Sequence, residues 1–388
     1  MTYRYTILSF LCITWSVFCG WSDPVLIKKD AGIALPSIYA DRHSSKAYIF
    51  FSQTVTKDNI VESSVCYKEF GPSEANVVEH CVKQPRVVED VSGVVGNGGS
   101  SIYVAYSARR NSNTTECGKK GDGCYDVYFV ESKNNGKDWT KAVQIPRHNM
   151  SDTTHRSGPK IMLINEKARL MIAFTRYSHD EKKYQIATAT RANQSSIFAN
   201  EIVIDAYWSS PLTNKTLTYT VSETEVTAHI ILEPKGYCFQ ERYSNDYGRT
   251  WKVSCLISGH NIMYSMAPSW NHTSICMASL NDDGEFTMSW LKHDNQWDQA
   301  DFDVTGYEFN PVIASVPNTN NTFLFTGQVK GDKVSTYTFN TDDQSLTDLQ
   351  QTAPAHPYHE ASTALHESAT KIRILHYIGA DLYMSTHT

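Results

Sequence analysis

Two copies of one eight-residue pattern limit what this 388-residue chain can become. Ser132-Lys133-Asn134-Asn135-Gly136-Lys137-Asp138-Trp139 and Ser244-Asn245-Asp246-Tyr247-Gly248-Arg249-Thr250-Trp251 both read S-x-(D/N)-x-G-x-x-W. The short polar side chains can bond back to the turn's own amides, and Gly136 and Gly248 can take a positive φ. Trp139 and Trp251 close the copies as indole plugs. Extended, β-rich runs flank each copy: Tyr125 to Glu131 and Lys141 to Ile145 around the first, Tyr237 to Tyr243 and Lys252 to Ile257 around the second. Each pattern is therefore a hairpin corner, and two corners about 112 residues apart imply a repeated small sheet.

The octapeptide resembles the Asp-box of the sialidase-like, or BNR, β-propellers. The resemblance implies an all-β propeller, and the rest of the chain divides accordingly. Short strands recur in groups opening near Ile33, Gly93, Gly158, Leu217, Met263 and Phe309, with three last strands from His359. Seven blades are expected, with six as the alternative if two units merge. The last group lacks a fourth strand, which Pro24 to Lys28 would supply by joining the chain's two ends. Residues 23–388 read as one propeller domain, with no helix-period segment longer than two turns and no linker.

The compartment follows from other signals. Arg4, the apolar run Tyr5 to Phe18 and the small residues around Cys19 to Ser22 read as a signal peptide over residues 1–22. No later stretch is apolar enough to cross a bilayer, and a net charge of −6 without a basic run points away from nucleic acid. Sequons at Asn113, Asn149, Asn193, Asn214, Asn271 and Asn320 fit a secreted, extracellular glycoprotein. Cys66 with Cys81 and Cys238 with Cys255 fall on neighbouring strands and are expected disulfides. Cys117 with Cys124 would close a small ring, leaving Cys276 unpaired. No Cys or His spacing suits zinc, so no metal motif and no cofactor is expected, with calcium, whose scattered oxygen ligands leave no linear motif, left open.

A sialidase of the resembled family grips its sugar's carboxylate with three arginines from different blades, because a planar guanidinium matches a carboxylate bidentately. It also uses an Asp acid/base and a Tyr nucleophile assisted by Glu. Where the family's first arginine stands in an R-I-P motif, this chain has Ala34-Leu35-Pro36. After Arg191 only Arg242, Arg249 and Arg373 remain, none at a clamp position. Other pieces match in part: Asp58 stands near the family's acid, and Tyr358 with Glu360 near its nucleophile. The plainer readings are a polar loop Asp and a structural Tyr. Arg156, with His155 and His359, is a candidate for binding a hydroxyl-rich or acidic ligand in a central mouth, solvated loop residues being the alternative.

The expected function is a non-catalytic module for glycans or glycoproteins. The alternative is an active extracellular glycosidase, such as a divergent exo-sialidase, or a polysaccharide lyase. An adhesive surface protein is a third reading.

Overall fold

The computed structural model describes residues 25–29, 37–41, 46–58, 60–70, 78–109, 125–147, 155–164, 169–178, 183–192, 195, 197–208, 215–222, 225–232, 238–258, 261–281, 286–292, 296–302, 312–316, 319–329, 333–348, 361–368, 371–378 and 381–387. Among them every regular element is a strand. One short strand, β1 (Val25–Lys28), comes first. The first sheet follows as β2 (Ser37–Asp41), β3 (Lys46–Lys57), β4 (Ile60–Phe70) and β5 (Val78–Gln84). The second is β6 (Val88–Gly96), β7 (Ser101–Arg109), β8 (Tyr125–Ser132) and β9 (Val143–Gln144). The third is β10 (His155–Ile164), β11 (Arg169–Ser178), β12 (Lys183–Arg191) and β13 (Ile202–Trp208). The fourth is β14 (Lys215–Val221), β15 (Val226–Leu232), β16 (Cys238–Ser244) and β17 (Lys252–Ser258). The fifth is β18 (Asn261–Pro268), β19 (Ile275–Asn281), β20 (Phe286–Leu291) and β21 (Trp297–Phe302). The sixth is β22 (Val312–Ser315), β23 (Thr322–Val329), β24 (Lys333–Asn340) and β25 (Ser345–Asp348). Last come β26 (Ala361–Ser368), β27 (Lys371–Ile378) and β28 (Asp381–His387).

Each set is an antiparallel meander, and β1 pairs with β28, so the seventh four-stranded sheet takes its outer strand from the front of the chain. The Lys68 ammonium donates to the Ile27 carbonyl, tying that strand to the first sheet. First strands of successive sheets touch in the order β2, β6, β10, β14, β18, β22, β26 and back to β2. A recurring bond draws neighbours together: the Gly93 amide donates to Ser37 Oγ at 3.0 Å, Ile161 to Ser92 at 3.1 Å, and Ile313 to Ser265 at 3.3 Å.

Burial explains why the strand patterns change from inside to outside. β7, SIYVAYSAR, is buried at all but its last position, because neighbouring sheets cover both its faces. The outer strand β21, WDQADF, is only partly covered, and half-buried and exposed positions alternate towards its end. Clusters of apolar side chains fill the spaces between sheets: Val94, Tyr103, Phe129, Ile161, Ile172 and Phe174 join the second and third, while Trp290, Ile313, Phe325 and Phe339 join the fifth and sixth.

Candidate functional site

Antiparallel order sorts the connections onto two ends of the sheets. The two octapeptide turns link third to fourth strands and lie at one end. Starts of first strands, ends of second strands and starts of third strands lie at the other. Asp58, in the β3–β4 turn, falls at this second end, exposed and with φ +52°. Glu89 and Asp90 open β6, Arg109 ends β7, Tyr125 opens β8 and His155 opens β10, all at the same end.

These residues form a connected group. Asp90 Oδ2 accepts from Ser107 Oγ at 2.8 Å and from the Gly158 amide at 3.0 Å, which joins the second sheet to the third. The Tyr125 hydroxyl donates to Glu89. Burial pushes the Glu89 carboxyl up, and the Asp90 charge adds to this. The Tyr125 bond and the Arg109 guanidinium work the other way. Burial, the bond to Glu89 and its charge also push the Tyr125 phenol up, which makes it a poor nucleophile. The Tyr125 amide donates to His155 Nδ1 at 3.4 Å, and the two rings meet edge-on at 5.2 Å. Lys160, on β10, has its pKa lowered by burial, against the opposing pull of Asp90. Such a group offers hydrogen-bond donors and acceptors, its two carboxylates set against the Arg109 guanidinium and the Lys160 amine.

Arg156 does not join it. The guanidinium is fully buried, with Nε donating to Asp126 Oδ1 at 2.5 Å, Nη1 to Glu201 Oε2 at 2.9 Å and Nη2 to the Ile145 carbonyl at 2.8 Å. Asp126 also accepts from Arg147 at 2.6 Å and from Gln144, while Arg176 stands 3.4 Å from Glu201. The expectation of Arg156 in an open mouth is therefore corrected. β10 begins at His155, so residue 156 is already within the strand and strand alternation turns it into the space between the second and third sheets. Three arginines do converge, but on two internal carboxylates. Arg191 is likewise held by Glu131 at 2.7 Å, and Arg242 by Gln240 at 2.9 Å.

No protein-family model matches the sequence, and no curated protein matches it. Solved structures do resemble its shape. A Trypanosoma rangeli sialidase in complex with sialic acid superposes with a TM-score of 0.52 at 12% identity, over 95% of this chain and 58% of that one. The BP39L lectin from Burkholderia pseudomallei gives 0.55 at 10% identity, over 90% and 95%. The fold is that of the sialidase-like β-propellers. The chain spans little more than half the length of that sialidase, and likeness at such identities reaches the propeller's architecture only.

Other expected residues fall as follows. Both boxes form as self-bonded turns: Gly136 and Gly248 donate their amides to Ser132 and Ser244 at 2.9 and 2.7 Å, and the indoles of Trp139 and Trp251 donate to the same glycines' carbonyls. Asn134 and Asp246 accept from amides further along the turn. Cys66 and Cys81, directly opposite on β4 and β5, are disulfide-bonded. Among the described residues the group with metal-ligand spacing is Cys66, Glu79 and Cys81, two of whose sulfurs are bonded to each other. Cys276 is free and buried. Register sets Cys255 against Gln240 and Cys238 against Ser258, and the side chains of that pair lie outside the described residues. Tyr358, His359, Glu360, Cys117, Cys124, Asn113, Asn149, Asn193, Asn214 and the segment 1–22 also lie outside them. Asn271 and Asn320 are exposed, between first and second strands at the box end. Among the described residues no helix is long and apolar enough to cross a membrane. The Glu89–Asp90 pair was not singled out above; its signal was two acids interrupting the apolar run Val87-Val88…Val91.

Proposed function

We propose that this chain is a closed seven-bladed propeller, secreted and glycosylated, that binds glycans or glycoproteins through the end opposite its boxes and does not hydrolyse sialosides. The return of strand contacts from β26 to β2 and the pairing of β1 with β28 support closure. The observation that carries the functional reading is where charge lies. Arg147, Arg156, Arg176, Arg191 and Arg242 are turned inward onto protein partners, and at the end where a carboxylated sugar would need cations the exposed Arg109 is already set against Glu89 and Asp90. Losing bidentate partners for a carboxylate costs roughly 1.5–3 kcal/mol per charge-assisted bond. The reading therefore favours uncharged, hydroxyl-rich ligands, held by Glu89, Asp90, Arg109 and His155.

Incubation of the secreted protein with a fluorogenic sialoside should release no fluorophore above background. Turnover abolished by Tyr358→Phe would instead support the second reading, an extracellular glycosidase or lyase using Asp58, Tyr358 and Glu360. The placement of Asp58 at the same end as the Glu89 group favours keeping that reading. A glycan array should then show discrete hits that weaken in Glu89→Gln.

A further inference from the structure

A row of aromatic residues crosses the third sheet at the end opposite the boxes. His155 on β10 is the direct partner of Tyr177 on β11, and Tyr177 of Tyr184 on β12. Directly opposed residues of an antiparallel pair share a face, so the register aligns them as one ladder. Tyr177 and Tyr184 have ring centroids 4.8 Å apart, tilted by 51°, and the Tyr125 ring continues the row onto the second sheet through its edge contact with His155. With strands about 4.8 Å apart the ladder over β10, β11 and β12 runs for roughly 10 Å.

One contrast distinguishes this row from the buried aromatics of the same sheets, although Tyr184 also packs against the cluster between the third and fourth sheets. Tyr103, Tyr106, Tyr128, Phe129 and Phe174, in the same two sheets, are buried, whereas Tyr125, His155, Tyr177 and Tyr184 are all partly exposed. At the corresponding end the first pair of the fourth sheet is Lys215 with Leu232 and that of the fifth Asn261 with Asn281, but Phe286 with Phe302 in the fifth sheet and His376 with Tyr383 in the seventh are aromatic there too. Partly exposed tyrosines combine an apolar ring face with a polar tip, which suits a ligand having a C–H face and a hydroxyl rim.

We propose that Tyr125, His155, Tyr177 and Tyr184 form a stacking platform for the pyranose rings of an uncharged oligosaccharide, whose hydroxyls reach the Glu89–Asp90 group at the platform's inner end. This rests on the glycan-binding reading and names where along the propeller the ligand lies. A row of several rings, longer than one sugar, calls for an oligosaccharide rather than a monosaccharide.

The test uses the full secreted chain on an array of neutral and sialylated oligosaccharides, comparing wild type, Tyr177→Ala/Tyr184→Ala, Tyr177→Phe/Tyr184→Phe and Glu89→Gln. Stacking on two rings predicts a loss of about tenfold or more in the alanine pair. The phenylalanine pair, which keeps the rings, should hold affinity for the same neutral glycans. Unchanged binding by the alanine pair, with Glu89→Gln still impaired, overturns the platform and leaves the glycan-binding reading standing. A wild-type array without hits overturns both. If the alanine pair does not fold, Tyr184→Leu alone decides: neutral-glycan binding equal to wild type counts against the platform, and a loss counts for it.

Discussion

In the turn closed by Trp139, the Asn134 amide donates to Asp138 Oδ2 at 2.7 Å; in the turn closed by Trp251, the bond runs the other way, with Thr250 Oγ1 donating to Asp246 Oδ2 at 2.6 Å. The backbones agree closely, with φ of +74° at Gly136 and +83° at Gly248. What lies behind each turn differs. Gly136 faces the hydroxyl of buried Tyr67 in the first sheet, and Gly248 faces the flexible end of Met171 in the third. Each box is thus both a self-bonded turn and a contact with the preceding sheet. The local part tolerates substitution in matched pairs, while the contact part is set by whichever neighbour is present.

The largest effect should fall on what the two boxes share. Trp139 packs on the cluster of the first two sheets, 6.0 Å from the Tyr67 ring, and Trp251 packs on the clusters formed with the third. Replacing either by Ala should cost about 3 kcal/mol, the low end for a buried aromatic since both are partly exposed. Urea unfolding of the two variants would show similar losses. A near-neutral result at only one site would break the equivalence.

Next in size is the difference at the glycines. A Cβ on Gly136 would stand 2.1 Å from Tyr67 Oη, and that ring is stacked on His80 at 4.8 Å and has little room to retreat. On Gly248 it would stand 2.8 Å from Met171 Cε, which can swing away. Gly248→Ala should therefore cost only the left-handed backbone penalty, about 1 kcal/mol, and Gly136→Ala distinctly more. Adding Tyr67→Phe to Gly136→Ala should recover part of the loss, because it removes the atom in the way. Equal midpoints for the two single variants in urea would show that the neighbour does not matter.

The boxes were legible in the sequence because the bonds made by their serine, Asn or Asp, glycine and tryptophan close within eight residues, and the sheets because short alternating runs recur between turns. Strand ends were not. β3 continues to Lys57 and β10 starts at His155, and a one-residue change of parity decides whether Arg156 meets water or Asp126. Glu89 with Tyr125, and His155 with Tyr177 and Tyr184, depend on register between strands and on which sheets adjoin. Neither is encoded in local spacing.

A smaller effect should separate the donor and acceptor pairs. Asn134→Asp would set a second carboxylate against Asp138 and should cost about 1 kcal/mol through the lost bond. Asp246→Asn faces Thr250, whose hydroxyl can turn from donor to acceptor, so it should be milder. Thermal melts at neutral pH would rank them, and the reverse order would show that the bonded pairs do not behave as matched sets.

Acid should sharpen the same contrast with the least disturbance. Burial works to raise the Asp246 pKa, but bonds from the Thr250 hydroxyl and amide, the Ser244 hydroxyl and the Arg249 amide outweigh it and hold the carboxyl at about 2. The unfolded value is near 3.9. A depressed carboxyl stabilises the fold above its unfolded pKa, and that contribution fades as pH falls through the folded one. Asn134 has no proton to take up. Between about pH 4 and pH 2, amide hydrogen exchange should therefore quicken relative to its intrinsic rate at Gly248, Arg249 and Thr250, and Asp246→Asn should remove that pH dependence. Acceleration that persists in Asp246→Asn would place the responsible proton outside the box, because Asp246 is the carboxylate that accepts the Arg249 and Thr250 amides.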